Sequence, residues 1–268
     1  MSKRYTTNPT KHKARKRFGQ NFLTDQKIID QIIATIAPKR DDNLLEIGPG
    51  QGAMTLPLLD RVDELNVIEI DRDLIDILNS HKKPNLTIHQ GDALNFDLDD
   101  FNPPIRVVGN LPYNISSPIL FHLLEHRDKV IDMTFMLQKE VVDRICAGPG
   151  SKKYGRLSIM MQYYCATEHL FDVPPESFNP APQVMSSIVR LVPHEQPPVV
   201  VDSVKMLNTV VTTAFSQRRK TLRNSLKKLI TEFDITALDI DPTLRAETIS
   251  LQDFAKLSQF IQQHPLDE

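Results

Sequence analysis

Residues 43–52 read NLLEIGPGQG, a short apolar run followed at once by glycines at alternate positions. The apolar run has the length of a buried strand. Glycines directly after it let a ligand approach the backbone, because they carry no Cβ. In an open α/β sheet, ligands bind at the carboxyl ends of the strands. The stretch therefore predicts a strand of a parallel sheet with a ligand site at its end.

The chain around this stretch alternates between apolar runs of strand length and segments of helix length. Helices are predicted at 26–37, 71–80 and 117–127, and further strands at 65–70, 86–89, 105–109 and 131–137. Strands that alternate with helices are typical of a parallel sheet with helices on both faces. The fold class is therefore α/β, with a largely parallel, doubly wound sheet.

The chain changes character after about residue 160. Two strand-like runs, 165–171 and 184–191, are joined by a proline-rich loop without a helix, and we expect them to pair antiparallel at one edge of the sheet. After a linker-like segment at 193–200, apolar residues recur at helical spacing to the end of the chain. The predicted domains are 1–198, an α/β domain with a terminal antiparallel hairpin, and 199–268, a small all-helical domain.

The composition is that of a globular protein. The chain has 268 residues, a net charge of −2 and 40% hydrophobic residues, which excludes disordered, fibrous and uniformly basic classes. No apolar run reaches the roughly 18 residues that span a membrane. The two cysteines, Cys146 and Cys165, fit neither a disulfide framework nor a zinc site. A reducing compartment is therefore expected, and we predict a cytoplasmic protein.

The charge is unevenly placed. Residues 1–20 hold seven Lys and Arg, residues 216–228 hold six, and neither segment contains an acid. Two such blocks on a nearly neutral chain favour docking of an anionic macromolecule such as a nucleic acid. For either block alone, a solvated basic surface is an equally common explanation.

The glycine spacing and the acids beyond it indicate the cofactor. The spacing is G-x-G-x-G and not the dinucleotide pattern G-x-G-x-x-G, so a pyrophosphate is disfavoured and S-adenosylmethionine fits better. Glu69 ends the next strand 19 residues beyond Gly50, where an acid commonly holds ribose hydroxyls. Asp92 ends the third strand, where it can accept from the adenine amine.

Residues 109–114 read GNLPYN after the fourth strand, and this turn resembles the motif of adenine N6-methyltransferases. The side-chain oxygen of Asn110 and the carbonyl of Leu111 can each accept one hydrogen of the adenine amine. This directs the nitrogen lone pair at the methyl group. Pro112 stiffens the turn, and Tyr113 offers a ring for stacking on an extruded base.

Several stretches together carry a more specific resemblance. They are KRFGQNFL at 16–23, EIGPGQG at 46–52, GDA at 91–93, GNLPYNISSP at 109–118 and FNPAPQV at 178–184. From about residue 15 to residue 230 the chain resembles the ribosomal RNA adenine dimethyltransferases, and their small-subunit (16S) members most. The resemblance implies a Rossmann-like, class I S-adenosylmethionine-dependent methyltransferase fold. It also implies two methyl transfers to N6 of each of two adjacent adenosines in a hairpin loop near the 3′ end of small-subunit rRNA.

The resemblance assigns roles to individual residues. The cofactor would be held by Asn21, Leu23, Gly48, Gly50, Glu69, Asp92 and Asn110, with Asn21 and Leu23 as a lid. Phe178 would face the target base, although such a residue taken alone is more often part of a core. The basic blocks would contact rRNA phosphates through Lys13, Arg15, Lys16, Arg17, Arg218, Arg219, Lys220 and Arg223. The expected partner is an assembling small ribosomal subunit, and the expected state is a monomer without metal.

Three alternatives remain at this point. The macrolide-resistance dimethylases of large-subunit rRNA are relatives, but they usually carry NIPY and lack the SSPIL continuation. A ribosome-assembly factor could keep the fold without the chemistry. Residues 122–126 read HLLEH and match a zinc-peptidase pattern. That match is interpreted as chance, because it gives the glycine motif, Glu69 and Asp92 no role.

Overall fold

The computed structural model describes residues 20–113 and 115–266. The predicted RNA contacts Lys13, Arg15, Lys16 and Arg17 lie outside these residues. The chain divides into two compact units. Of the described residues, the first comprises those up to 142 together with 168–193, and the second comprises 143–167 and those from 194 onward.

A seven-stranded sheet forms the centre of the first unit. The strands of the chain are β1 (Phe22–Leu23), β2 (Leu44–Ile47), β3 (Leu65–Glu69), β4 (Leu86–Gln90), β5 (Ile105–Asn110), β6 (Val130–Gln138), β7 (Cys165–Val173), β8 (Phe178–Asn179) and β9 (Ser186–Pro193). The order in the sheet is β4-β3-β2-β5-β6-β9-β7, and β1 pairs with β8 in a separate antiparallel ribbon.

The strand directions agree with the predicted fold class. Strands β2 to β6 are parallel to their neighbours, whereas β9 is antiparallel to β6. The two late strands, β7 and β9, are neighbours at one edge of the sheet. The predicted α/β class, with a largely parallel sheet, is therefore confirmed.

Helices connect the strands and continue to the end of the chain. They are α1 (Gln26–Ile36), α2 (Thr55–Leu59), α3 (Arg72–Ser80), α4 (Ser116–Glu125), α5 (Lys139–Ile145), α6 (Arg156–Tyr164), α7 (Val204–Ser216), α8 (Leu222–Ser225), α9 (Glu232–Ala237) and α10 (Leu251–Gln263). Within the described residues, no helix is both long and apolar enough to span a bilayer.

Helix α1 shows how local sequence sets these boundaries. The Asp25 side chain accepts from the backbone N–H groups of Lys27 and Ile28, which caps the start of the helix. Ala37 adopts a left-handed conformation, with φ of 48°, and ends the helix directly before Pro38. Four of its five isoleucines are buried in one core cluster with strands β2 and β3: Ile29, Ile32, Ile33 and Ile36.

A partly buried ion-pair network joins β5, β6 and the end of α1. Arg106 donates to both carboxylate oxygens of Asp132, at 3.0 and 2.9 Å, and to Asp42 at 2.5 Å. It also donates to the carbonyl of Ile36 at 2.7 Å. A planar guanidinium satisfies all these acceptors at once, which fixes the three elements relative to one another.

The second unit has its own apolar core. Helix α6 contributes Ile159 and Tyr163 to the same cluster as Leu207 and Val211 of α7 and Phe254 of α10. Residues 143–167 therefore group with the C-terminal helices, whereas the predicted boundary at residue 198 assigned them to the α/β domain. The physical reason is that the buried side of α6 packs on α7. The functions predicted for the two domains stay predictions.

Candidate active site

A cavity of about 270 Å³ lies at the carboxyl ends of β2, β3, β4 and β5, with residues 20–23, the β1 segment, on another side. It is lined by all the predicted cofactor residues and by four of the predicted catalytic residues: Asn21, Leu23, Gly48, Gly50, Glu69, Asp92, Asn110, Leu111, Pro112 and Tyr113. The structure therefore brings these residues together from separate parts of the sequence, as a site at the switch point of an α/β sheet requires.

The glycine turn forms the floor next to β2. Gly48, Gly50 and Gly52 all have positive φ, a conformation that side chains other than glycine rarely adopt. At Gly50 the space is also limited, because a Cβ would lie 3.3 Å from the Phe22 ring. The β1 segment therefore packs directly on the turn, and both elements line the cavity.

Glu69 is buried at the end of β3, where three backbone N–H groups orient its carboxylate. Gly50 donates to Oε2 at 3.2 Å, and Ile70 and Asp71 each donate to Oε1 at 2.9 Å. Burial raises the pKa of Glu69 above its ordinary value, and these hydrogen bonds oppose the rise. The carboxylate is thus held in place by the glycine turn and by the start of α3.

Glu46 is a site residue that the sequence reasoning left without a role. It lines the cavity and is 1% exposed, and the Thr55 hydroxyl donates to its Oε2 at 2.6 Å. Burial, reinforced by the nearby Glu69, raises the pKa of Glu46 to about 7. The position of Glu46 inside the apolar run NLLEI is the sequence signal that could have identified it. A buried acid lowers the stability of the fold, so an acid within a buried strand points to a function.

The β1 segment is fixed to the site at two further points. The Gln20 side chain donates to Asp71 Oδ2 at 3.0 Å, and the Phe22–Leu23 strand pairs with Phe178–Asn179. Asp71 is buried and also caps α3. Neither Asp71 nor Gln20 is among the site residues that the sequence predicts.

The predicted catalytic turn, residues 110–113, begins at the last residue of β5. Asn110 Nδ2 donates to the carbonyl of Asn21 at 3.2 Å, which leaves the side-chain oxygen of Asn110 as an acceptor. Leu111 is buried, and its N–H donates to Met136 of β6 at 3.2 Å. The Ser116 hydroxyl lies within hydrogen-bond distance of the carbonyls of Pro112 and Tyr113, at 3.1 and 3.2 Å. The turn is therefore held from both sides.

Asp92 lies in the loop after β4 and lines the cavity opposite this turn. Its Oδ1 accepts from the N–H of Leu94 at 3.0 Å, which fixes the loop in a local Asx turn. The lining contains carboxylates at Glu46, Glu69 and Asp92, and among the described residues it contains no Lys, Arg or His. Such a lining suits a nucleoside that carries a positive charge and no phosphate, which describes S-adenosylmethionine.

Phe178 is not brought to the cavity. It pairs with Leu23 between β8 and β1, is 5% exposed, and belongs to the core cluster of the first unit. The ring packs where a large apolar side chain is most stable, and it offers no free face to a base in this arrangement. The structure therefore places Phe178 among core residues, the common position for a lone phenylalanine.

Two of the four predicted RNA contacts in the C-terminal basic block form ion pairs with acids of this chain. Arg218 donates to Glu247 at 2.7 Å, and Arg223 donates to Glu232 at 2.8 Å. Arg219 and Lys220 are exposed, and no ion pair is seen for them among the residues that the structure describes. All three residues from 218 to 220 lie between α7 and α8, so they form a turn and not a helix face.

The two histidines of HLLEH have local partners. His122 Nε2 lies 2.8 Å from the carbonyl of Phe96, and His126 Nδ1 lies 3.7 Å from Asp99. Lys129 also forms an ion pair with Asp99. Both histidines therefore contact the segment 96–99, as expected of histidines that pack α4 and its C-terminal end against a neighbouring loop.

Comparison with known proteins gives a consistent result. A family model described as ribosomal RNA adenine dimethylase matches residues 11–263. Two relatives named ribosomal RNA small subunit methyltransferase A are similar over nearly the whole chain. The one from Marinomonas sp. (strain MWYL1) is 53% identical and covers 93% of this chain and 96% of its own. The one from Saccharophagus degradans is 56% identical and covers 92% and 94%.

Solved structures agree with this. A dimethyladenosine transferase from Plasmodium falciparum superimposes with a TM-score of 0.79 at 29% identity, and it covers 90% of this chain and 98% of its own. The 23S rRNA methyltransferase ErmE gives a TM-score of 0.71 at 25% identity, with 91% and 100% covered. The resemblance, the enzyme class and the methyl donor predicted from the sequence are thereby confirmed. The chain belongs to the ribosomal RNA adenine dimethylase family.

Proposed function

We propose that this protein transfers methyl groups from S-adenosylmethionine to N6 of two adjacent adenosines in the 3′-terminal hairpin loop of small-subunit (16S) rRNA. The product is N6,N6-dimethyladenosine, made while the small ribosomal subunit assembles. The observation that carries the proposal is the turn Asn110–Tyr113, held next to a cavity lined by acids. The choice of the small subunit is supported by relatives named for it at 53% and 56% identity.

The cofactor residues act before the chemistry. When bound, S-adenosylmethionine supplies an electrophilic methyl group on a sulfonium. The Glu69 carboxylate, fixed by its three backbone donors, would accept the two ribose hydroxyls. Asp92 would accept from the adenine amine of the cofactor, and Asn21 and Leu23 of the β1 segment would cover it.

Asn110 and Leu111 prepare the nucleophile. The adenine amine is weakly nucleophilic because its lone pair is delocalised into the ring. The side-chain oxygen of Asn110 and the carbonyl of Leu111 would each accept one amine hydrogen, which favours a pyramidal nitrogen. Because the Asn110 amide nitrogen is engaged by Asn21, the oxygen is the atom available for this task. Pro112 stiffens the turn.

Tyr113 would stack on the extruded adenine, since stacking on an aromatic ring offsets the loss of stacking in the RNA. No side chain has to act as a general base, because the N6 proton can leave after the methyl group has been transferred. The chain therefore acts mainly by binding, orientation and exclusion of water.

The basic blocks would hold the RNA. Loop RNA is recognised through splayed bases while its phosphates contact Lys and Arg. Arg219 and Lys220 are the exposed candidates in the second unit, and Arg218 and Arg223 would exchange their carboxylate partners for phosphates. We also propose that the protein acts as a monomer in the cytoplasm, where small subunits are assembled.

The direct test supplies radiolabelled S-adenosylmethionine to the protein with small subunits that lack the modification, and with large subunits as the control. The RNA is digested and its nucleosides are separated. Label in N6,N6-dimethyladenosine from small subunits alone is expected. Label from large-subunit RNA would instead favour the specificity of ErmE-like relatives. Bound cofactor without label in either RNA would leave an assembly factor without catalysis.

A further inference from the structure

Tyr113 is attached to a strand that does not belong to the catalytic turn. Its hydroxyl lies 2.7 Å from the Oγ of Ser186, the first residue of β9. Ser186 is fully buried, whereas Tyr113 is half-buried and lines the cavity. A buried hydroxyl without a hydrogen bond lowers the stability of the folded protein, so the bond to Tyr113 stabilises the buried hydroxyl of Ser186.

The anchor itself is rigid. In the sheet, β6 lies between β5 and β9, with Asn110 opposite Met136 and Gln138 opposite Ser186. The N–H of Lys139, just after β6, donates to the carbonyl of Met185, just before Ser186, at 2.9 Å. Ser186 is therefore fixed to the end of β6, the same strand that aligns Asn110.

Two hydroxyls hold Tyr113 at opposite ends. Ser116 bonds the backbone carbonyl of Tyr113 at 3.2 Å, and Ser186 bonds the phenol at 2.7 Å. A tyrosine has only two side-chain torsions, so fixing both ends leaves the ring one orientation. Without the Ser186 hydroxyl, the ring could rotate about both side-chain torsions while the backbone of the turn stayed in place.

We propose that Ser186 is a positioning residue for adenine methylation, and that it sets the orientation of the Tyr113 ring on which the target base stacks. The proposal rests on the stacking role proposed above for Tyr113. Through the ring, Ser186 sets the position of the adenine amine relative to Asn110. It touches neither the base nor the cofactor, so its effect appears in turnover and not in cofactor affinity.

Ser187 supplies a matched control. It is the next residue of β9, is also fully buried, and its hydroxyl donates to Asp172 at 2.6 Å. Ser187→Ala therefore removes a buried, bonded hydroxyl of the same strand without touching Tyr113. Any general loss of stability should be similar in Ser186→Ala and Ser187→Ala.

The experiment measures kcat and KM for RNA, cofactor affinity and unfolding temperature for Ser186→Ala, Ser187→Ala, Tyr113→Phe and the double variant S186A/Y113F. We expect kcat to fall about tenfold in Ser186→Ala and in Tyr113→Phe, less than the roughly hundredfold cost of a 1 Å misplacement. The double variant should lose no more, because both changes remove the same bond. Ser187→Ala should keep the wild-type kcat, and cofactor affinity should be unchanged throughout.

Two results would overturn the proposal: equal kcat values in Ser186→Ala and Ser187→Ala, or losses that multiply in the double variant. If Ser186→Ala does not fold, Tyr113→Phe still tests the bond, and a wild-type kcat there overturns the proposal. Tyr113→Ala distinguishes a failure of the stacking role of Tyr113 from a failure of the positioning role of Ser186. Full activity in Tyr113→Ala removes the stacking role itself, whereas its inactivity beside a fully active Ser186→Ala removes only the role of Ser186.

Discussion

In the proposed mechanism, a single hydrogen bond decides which side-chain atom of Asn110 accepts from the adenine amine. The Asn21 carbonyl accepts from Nδ2, so the oxygen is left for the substrate. Asn110→Ala should lower methyl transfer at least about hundredfold, the usual cost of deleting one polar group that acts on the transition state. RNA affinity, measured by filter binding, should remain. Asn110→Asp keeps an acceptor but places it against the Asn21 carbonyl, so intermediate activity is expected. Full activity in Asn110→Ala contradicts the role.

Glu69 is expected to control cofactor affinity. Glu69→Ala removes an acceptor for two hydroxyls, so the calorimetric dissociation constant should rise about tenfold or more. Glu64→Gln is the control, because Glu64 is an exposed acid next to the start of the same strand. Equal affinities in the two variants would remove Glu69 from the ribose site.

Glu46 makes folding stability depend on pH. Its pKa is about 7 in the folded protein against an ordinary 4.5, so the folded state keeps a proton that the unfolded chain releases. The contribution of Glu46 to the free energy of unfolding is therefore fully present below pH 4.5, and it is lost as the pH rises through 7. The loss amounts to about 3 kcal/mol.

Urea unfolding of wild type and Glu46→Gln at both ends of this range tests the effect in the cofactor-free protein. The wild type should lose about 3 kcal/mol more than the variant between low and high pH. Parallel pH profiles for the two proteins would show that Glu46 titrates normally.

At the scale of elements, the contact between β2 and β5 leaves no room for a side chain at Gly109. A Cβ there would lie 2.4 Å from the carbonyl oxygen of Ile47. Gly109→Ala should therefore separate the strands that carry the glycine turn and Asn110, at a cost of about 3 kcal/mol. Gly148→Ala is the control, because a Cβ there meets nothing within 4 Å. Similar unfolding temperatures in both variants would contradict the close contact.

The elements also show how far the sequence alone could lead. The alternation of runs predicted the parallel sheet, and the positions of Glu69, Asp92 and Asn110 at strand ends predicted one shared cavity. The ribbon of β1 and β8 could not be predicted, because two-residue strands carry no periodic signal. For the same reason Phe178 could not be placed, since its partner Leu23 is remote in sequence. The bond between Tyr113 and Ser186 depends on the order of β5, β6 and β9, which periodicity does not reveal.

At the scale of the whole molecule, the basic residues of the second unit should set the salt dependence of RNA binding. Replacing Arg219 and Lys220 by Ala should lower the slope of log affinity against log salt by about 0.7 for each lost phosphate contact. Arg40→Ala is the control, since Arg40 is an exposed cation of the first unit that pairs only weakly with Asp63, at 3.6 Å. An unchanged slope in R219A/K220A would show that this turn is a solvated basic surface that does not contact RNA phosphates.

The acids of the cavity lining have a consequence for turnover. Each transfer converts a positively charged sulfonium into a neutral thioether, while the acids Glu69 and Asp92 remain around it. The electrostatic attraction between these acids and the sulfonium therefore disappears with the methyl group. An enzyme that must deliver several methyl groups to one RNA has to exchange its cofactor after each transfer, and the lost attraction favours this exchange.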